Sequence, residues 1–122
     1  MDLQFTPAQQ AFRAKVRDWL RTHVPRETFG SYDTREGFEQ HRRWEATLAD
    51  GGWSSVTWPK ALGGLGCDLI DWLIFEEEYA AADAPFRINQ NGILLLGPTL
   101  MEFGTPEQKA RFLPRMARCD DM

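Results

Sequence analysis

The chain has 122 residues, a formal net charge of −4, and 43% hydrophobic against 26% charged residues. This composition is typical of a globular protein, and the length suffices for one hydrophobic core, so we expect a single domain over residues 1–122. The negative charge and the lack of a basic stripe argue against a nucleic-acid partner. No apolar run approaches membrane-spanning length, and residues 1–7 show neither signal nor transit character, which predicts a cytoplasmic protein.

The chemistry-bearing residues form no recognisable catalytic or metal-binding pattern. Cys67 and Cys119 match no metal or redox spacing, so both are predicted to be reduced thiols. His23 and His41 lack any neighbouring ligand pattern. The sequence contains no G-x-S-x-G elbow and no cysteine with a motif-matched histidine. We therefore predict no catalytic residue and no metal ligand in this chain.

Two amphipathic helices are predicted in the first half of the chain. Thr6 and Pro7 open a T-P-x-Q capping box that begins the first helix, and Pro25 closes that segment. A polar loop follows. The second helix is predicted over about residues 36–50, where an apolar face repeats at helical spacing, and Gly51 with its neighbouring glycine ends it.

The middle of the chain predicts an ordered connection and a third helix. Residues 53–66 carry tryptophans, prolines and glycines without a sustained period, which indicates a connection pinned by buried aromatic rings. Its Gly63–Gly66 run has no G-x-G-x-x-G pattern and no following lysine, so a tight turn is favoured over a phosphate loop. Asp68 caps the third helix, whose first half, 69–75, is apolar on nearly every side and is expected at the centre of the bundle.

Glu76, Glu77 and Glu78 follow on the same helix. Consecutive helical residues point about 100° apart, so these carboxylates cannot converge on one substrate atom. We interpret them as a solvated face, with one glutamate turned toward a basic residue as a further option.

The last third of the chain predicts helices separated by glycine and proline. A fourth helix is expected from about Arg87, and its predicted buried stripe consists of Ile88, Gly92, Leu95 and Leu96. Gly97 and Pro98 are expected to interrupt this helix, because an internal proline removes a backbone donor. A short helix to about residue 103 and a last one over about 106–118 complete an all-α, up-and-down bundle of about five or six helices.

A run near the end of the chain is more specific than a helical hairpin requires. Gly104 suits a helix end, Thr105 and Gln108 form a capping box, and Pro106 suits a first helical turn. The most characteristic segments are Trp53 to Gly66, Phe75 to Ala80, Gly97 to Leu100, Phe103 to Lys109 and Arg111 to Pro114. With these segments, nearly the whole chain resembles the amino-terminal helical domain of the acyl-CoA dehydrogenase family.

The resemblance implies a part of a larger flavoenzyme. In that family a β-domain with most of the FAD contacts and a helical domain with the catalytic glutamate follow, and we expect both to be absent from this chain, which stops at Met122. The implied reaction is α,β-desaturation of an acyl-CoA thioester, in which the glutamate removes a proton and the flavin accepts a hydride. An electron-transfer flavoprotein and a homo- or hetero-oligomer are implied as partners. We expect the isolated chain to be inactive and to bind flavin poorly.

The candidate substrate-binding residues lie on the predicted fourth helix. Arg87, Asn91 and Leu95 are spaced i, i+4, i+8, and Gly92 removes side-chain bulk beside them. In proteins that this chain resembles, residues at matching positions line the far end of the acyl pocket, so these four are predicted to bind substrate. Interhelical core packing explains Gly92 and Leu95 as well and stays open. Arg87 and Asn91 would make the pocket end polar, which favours a branched, cyclic or oxygenated acyl group.

Two other functions remain open at this point. The chain fits a stand-alone, non-catalytic helical module that docks on a partner subunit, which an exposed apolar patch would favour. An unrelated small helical binding protein would require the motif combination to be accidental. The resemblance also does not separate dehydrogenases from oxidases or other relatives on the same scaffold, because fold does not fix chemistry.

Overall fold

The computed structural model describes residues 4–120. Its elements are α1 (Pro7–His23), α2 (Arg35–Asp50), a 3-10 helix (Lys60–Leu62), α3 (Leu69–Ala81), a π-turn (Gly92–Leu96), α4 (Gly97–Phe103) and α5 (Pro106–Ala117). These five α-helices, with no strand in the described part, confirm the all-α prediction. The predictions that concern residues 1–3 and the end at Met122 fall outside the described residues.

Two hydrophobic clusters hold the helices together. In the first, side chains of α1, α2 and α3 pack around residues of the ordered connection: Val16, Leu20, Trp44, Leu48, Trp53, Val56, Phe75 and Tyr79. The second joins that connection to the π-turn and α5 through Trp58, Ile93, Leu113 and Met116. The tryptophans of the connection are therefore buried, as predicted, and each one belongs to a cluster. Burial of such large aromatic side chains is a major source of stability in a small domain.

The glycine-rich turn is shaped by contact with Trp58. Gly63 and Gly66 have φ angles of 92° and 63°, which glycine adopts without strain. A Cβ at Gly64 would lie 2.1 Å from the Trp58 carbonyl oxygen, so no larger residue fits there. The turn is consequently packed against the protein itself, which agrees with the structural interpretation of this run.

The prediction that the first half of α3 lies at the centre of the bundle is wrong for the described residues. Leu69, Ile70 and Leu73 are 64%, 37% and 47% exposed. Only the face that carries Phe75 and Tyr79 is buried, because α3 packs chiefly against α1 and no described element covers its other side. The apolar character of this stretch therefore produces an exposed apolar surface, which we call the α3 apolar face (Leu69, Ile70, Leu73).

The fourth helix also differs from its prediction. Arg87 precedes the helical segment, which begins at Gln90. Ile93 is buried, whereas Leu95 and Leu96 of the predicted buried stripe are 64% and 58% exposed. The other two members of that stripe, Ile88 and Gly92, are half-buried.

Gly97 and Pro98 do not interrupt the helix, because a widened turn accommodates them. The Gly97 N–H donates to the Gly92 carbonyl five residues back, and the π-turn continues directly into α4. In this pattern the Ile93 carbonyl would accept from residue 98, which as a proline has no N–H. The Trp58 indole nitrogen donates to that carbonyl instead, at 2.8 Å. The chain thus satisfies a backbone acceptor that the proline leaves without its regular partner.

Neither cysteine forms a disulfide, as predicted. Burial raises the pKa of the Cys119 thiol to about 11, so it is protonated at neutral pH. Within residues 4–120, no cluster of His, Cys, Asp and Glu side chains could hold a metal ion. None of the helices in that range is both long and apolar enough to cross a membrane.

Candidate functional site

The segment that joins α3 to the π-turn, residues 84–89, is fixed by buried polar contacts and is called the strap below. At one end the Tyr79 hydroxyl donates to the Pro85 carbonyl. At the other end the Asn89 amide donates to the Met116 carbonyl of α5 at 2.5 Å. Because its ends are bound to different helices, the strap positions the start of the helical segment that carries Asn91.

The centre of the strap is held by Glu45 of α2. Its carboxylate accepts from Arg87 Nε at 3.0 Å and from the Ile88 backbone N–H at 3.1 Å. Arg87 Nη2 donates in addition to the Ser54 carbonyl at 3.1 Å. The side chains of Glu45 and Arg87 are 0% and 8% exposed, so this is a buried ion pair whose hydrogen-bonding groups are largely satisfied.

Sequence reasoning did not identify Glu45 as part of the site. A signal was present, because Glu45 lies four residues after His41 and three before Leu48, on the buried face of α2. A glutamate on the apolar face of a helix is rarely buried unless it is paired. Its partner lies 42 positions away in the sequence, so only the fold reveals the pair.

Tyr79 completes the support of the strap. The Trp44 indole donates to the Tyr79 hydroxyl at 2.8 Å, while that hydroxyl donates onward to Pro85. Burial raises the pKa of Tyr79, despite the opposing effect of the Trp44 hydrogen bond. The hydroxyl therefore keeps the proton that its hydrogen bond to the strap requires.

Two cavities in the described part of the chain meet at Ile88 and Asn91. The larger, of about 920 Å³, lies against α5 and is called the α5 cavity. Its lining includes Asn89, Gly92, Leu96, Leu100, Arg111, Phe112, Arg115 and Met116. The second, of about 640 Å³, is called the α3 cavity. Its lining includes Tyr32, Phe38, Glu76, Tyr79, Phe86, Arg87 and Gln90. Of the two residues in the shared wall, Ile88 lies within the strap and Asn91 lies two residues after its end.

The structure brings three of the four predicted site residues to these cavities. Arg87 lines the α3 cavity, Gly92 lines the α5 cavity, and Asn91 lines both. Leu95 is 64% exposed and is not among the lining residues of either cavity. The predicted shared helix face does not include Arg87, because this residue lies in the strap ahead of the helix.

Gly92 has a packing role at the same place. A Cβ there would lie 2.9 Å from the Asn89 side-chain oxygen and 3.2 Å from Met116 Cγ. The missing side chain thus permits close approach of the π-turn to α5, which is the interhelical contact that the sequence left open. It also leaves room at the wall of the α5 cavity.

Comparison with known proteins places this fold in a family. Residues 6–120 match the model of the acyl-CoA dehydrogenase, N-terminal domain, family. The chain belongs to this family. It is 43% identical over 113 residues to acyl-CoA dehydrogenase IpdE1 of Mycobacterium tuberculosis, an overlap of 88% of this chain and 29% of that protein.

Solved structures of acyl-CoA dehydrogenases contain the same domain. The ChsE4-ChsE5 complex from Mycobacterium tuberculosis matches 100% of this chain and 30% of that one, with a TM-score of 0.77 and 34% identity. The Tcur3481-Tcur3483 steroid ACAD matches 98% of this chain and 31% of that one, with a TM-score of 0.73 and 28% identity. This acyl-CoA dehydrogenase domain therefore spans less than a third of the length of the relatives it matches.

The glycine-rich turn does not form an open phosphate cradle at Gly64. Members of the family are generally flavin-dependent. A flavin nucleotide needs a backbone cradle for its phosphates, and the glycine-rich turn is the nearest candidate in the sequence. At Gly64 that turn abuts Trp58, and Gly66 faces the stem of Lys60, whereas Gly63 has open space around it.

Proposed function

We propose that the chain acts as the amino-terminal domain of a flavin-dependent acyl-CoA dehydrogenase, which desaturates an acyl-CoA thioester between its α and β carbons. The observation that carries this proposal is the family match over residues 6–120, supported by solved acyl-CoA dehydrogenases with the same fold. In this proposal the FAD-binding β-domain and the helical domain with the catalytic glutamate belong to the remaining length of such an enzyme.

The domain contributes one wall of the acyl pocket. Ile88 and Asn91 separate the two cavities, and the strap keeps this wall in place through contacts with α2, α3 and α5. A fixed wall limits the depth of the pocket and keeps water away from the bound acyl group. Exclusion of water strengthens electrostatic interactions at the reacting carbon. Arg87, Asn91, Gly92 and Leu95 remain the residues that we propose to set the substrate profile.

A bulky, ring-containing acyl group fits this wall better than a plain fatty chain. The α5 cavity of about 920 Å³ is in the size range that encloses drug-sized ligands. Asn91, which is exposed in this domain, offers an amide to an oxygen atom on such a group. One structural relative is named as a steroid ACAD, which agrees with a polycyclic substrate class.

We further propose that the complete enzyme works as an oligomer of two kinds of subunit. The ChsE4-ChsE5 relative is a complex of two proteins, and the steroid ACAD is likewise named as a pair. An electron-transfer flavoprotein is the proposed electron acceptor.

The substrate profile of an Asn91→Leu enzyme tests this function. The complete protein is expected to be yellow and to oxidise acyl-CoA thioesters with a dye as electron acceptor. Asn91→Leu should shift kcat/KM about tenfold from oxygenated cyclic toward straight-chain acyl-CoA, since one hydrogen bond is lost. Gln10→Leu, which changes an exposed amide on α1, is the control.

Two results of that experiment would count against the proposal. An unchanged substrate profile in Asn91→Leu would remove Asn91 from the acyl pocket. A complete protein without flavin and without acyl-CoA oxidation would contradict the dehydrogenase activity itself.

A second function is favoured by one observation, the α3 apolar face. Exposed leucines and isoleucine on one helix also suit a non-catalytic module that docks on a partner subunit. The mass of the native gene product separates the two functions. A yellow polypeptide several times larger supports the dehydrogenase, whereas a colourless product of about 14.0 kDa that co-purifies with a partner supports the module.

A further inference from the structure

The buried ion pair between Glu45 and Arg87 lies directly behind the proposed acyl-pocket wall. Arg87 lines the α3 cavity, and Glu45 binds both its guanidinium and the backbone N–H of Ile88 in the shared wall. The pair is thus in contact with the site. Its two members are 42 positions apart in the sequence, Glu45 on α2 and Arg87 in the strap. No packing requirement alone explains a charged pair here, because apolar residues of similar volume are often as stabilising as a buried ion pair.

The charge of the pair matters for what the cavity accepts. Arg87 without a carboxylate would present a cation at the end of the α3 cavity, where the low dielectric enhances its attraction for anions. Glu45 neutralises that cation. Glu76 is half-buried in the lining of the same cavity and adds negative charge. An acyl group whose terminal carboxylate enters the α3 cavity would therefore meet no uncompensated cation among its lining residues, which is costly.

We propose that the α3 cavity receives the end of the acyl group and that Glu45 is a positioning residue there, which holds Arg87 and Ile88 in place and makes this cavity reject acyl groups that end in a carboxylate. This inference rests on the proposed function, because it concerns the specificity of the same pocket. It reverses the simple expectation that an arginine at the pocket end attracts an anion.

Binding of two matched thioesters tests this role in the complete flavoenzyme. Hexanoyl-CoA and adipoyl-CoA have acyl chains of equal length and differ in a terminal methyl or carboxylate. Their dissociation constants are measured by titration calorimetry at pH 8. Glu45→Gln keeps the shape and one acceptor oxygen but leaves the Arg87 cation without a counter-charge. It should lower the ratio of the adipoyl-CoA to the hexanoyl-CoA Kd about tenfold.

Removal of each charge separately and of both charges together gives the decisive pattern. Arg87→Gln leaves the Glu45 carboxylate alone and should raise the same ratio. The double variant Glu45→Gln with Arg87→Gln is neutral again, and its ratio should return to within about twofold of the unmodified enzyme. A purely structural role of Glu45 would change both dissociation constants together and leave the ratio constant.

Two further variants serve as controls. Glu39→Gln removes an exposed carboxylate of α2 and should leave both constants unchanged. Tyr79→Phe removes the hydrogen bond to Pro85 without a change of charge, so it should move both constants in the same direction. If Glu45→Gln does not fold, Arg87→Gln and the double variant carry the same comparison.

The outcomes for this inference and for the proposed function are distinct. An unmodified flavoenzyme that binds neither thioester would contradict the proposed function. Binding of hexanoyl-CoA with a Kd ratio that is constant across all the charge variants would overturn the role of Glu45 and leave the proposed function intact.

Discussion

Glu78 connects α3 to α1 through two arginines. Its carboxylate accepts from Arg13 at 2.9 Å and from Arg17 at 2.8 Å and 3.1 Å, and its side chain is 6% exposed. The hydrogen bonds from Arg17, followed by those from Arg13, lower the pKa of Glu78 against the opposing effect of burial. Glu77 next to it is 62% exposed. Glu78 is therefore a buried glutamate turned toward basic residues, the option that the sequence left beside a solvated face, and the exposed Glu77 also contacts Arg13.

The lowered pKa predicts an acid-sensitive contact. A carboxyl group whose pKa is lower in the folded state stabilises the fold above its unfolded pKa of about 4.3. This stabilisation is lost as the pH falls through the folded pKa. Glu78→Gln should cost about 2 kcal/mol of unfolding free energy at pH 7, and the difference from the unmodified chain should shrink toward pH 3. Urea unfolding across this pH range measures it.

Glu77→Gln is the matched control for that experiment. It removes an exposed carboxylate bound to the same Arg13, so the cost should stay below about 0.5 kcal/mol at each pH. A Glu78→Gln deficit that is constant from pH 7 to pH 3 would contradict the assignment of the pKa to this contact.

At the residue scale, the sequence predicts contacts between residues that are close in the chain better than contacts between distant ones. Asn91 and Gly92 line the α5 cavity, because the local helix start places them there, and their binding of substrate stays a prediction. The strap position of Arg87 and its pairing with Glu45 depend on how α2 packs beside it, which no local pattern specifies. The sequence thus indicates a helix that borders the cavities, whereas the partners of its residues required the fold.

At the scale of elements, local hydrogen bonding made the helix starts predictable. The capping boxes of Thr6 with Gln9 and of Thr105 with Gln108 both form as the sequence predicted. The π-turn was missed because its cause is remote. Pro98 deprives the Ile93 carbonyl of a helical donor, and the replacement donor is Trp58, 35 positions earlier. The proline was therefore interpreted as a helix break, although a distant side chain makes a continuous helix possible.

Two buried tryptophans allow a matched test of that hydrogen bond. Trp58 and Trp53 are 2% and 4% exposed, and the Trp58 indole nitrogen donates to the Ile93 carbonyl, whereas the Trp53 indole nitrogen has no acceptor among the described residues. Trp58→Phe should lower the unfolding free energy by about 1 to 3 kcal/mol more than Trp53→Phe, because it leaves the Ile93 carbonyl unsatisfied. Chemical unfolding of the two variants measures the difference. Equal losses of unfolding free energy in the two variants would show that the buried apolar area alone, and not the hydrogen bond, determines the cost.

At the scale of the whole molecule, the composition indicated one core but not where the apolar surface ends. The α3 apolar face read as a bundle centre because its sequence is apolar all round. A helix with this pattern must be covered on all sides, and the described residues cover only one. The prediction of a bundle centre is therefore wrong for the described residues, because the apolar pattern does not specify which other element would cover the helix.

This surface predicts different effects of the same substitution in different contexts. Leu69→Gln with Leu73→Gln should change the unfolding free energy of the isolated chain by less than about 0.5 kcal/mol, since both side chains are already exposed. Binding of the dye ANS should fall. In the complete enzyme the same double variant should lower the melting temperature if the remaining domains cover this face.

Leu48→Ala provides the reference for that comparison. Leu48 is fully buried in the isolated chain, so its truncation should cost about 3 kcal/mol in either context. A large loss of stability from the α3 double variant in the isolated chain would show that this face is already packed.

The π-turn has a consequence for how relatives with this domain can diverge. Its hydrogen bonds span five residues, so the turn holds about one residue more than a regular α-helical turn. Deletion of one residue there would restore the regular helix and rotate everything before it by about 100° relative to α4. Such a change in length would exchange the side chain at the Asn91 position for its neighbour, while Trp58 and α5 stayed where they are. Insertion and deletion in this turn are thus a route to a different side chain at the cavity wall that needs no substitution elsewhere.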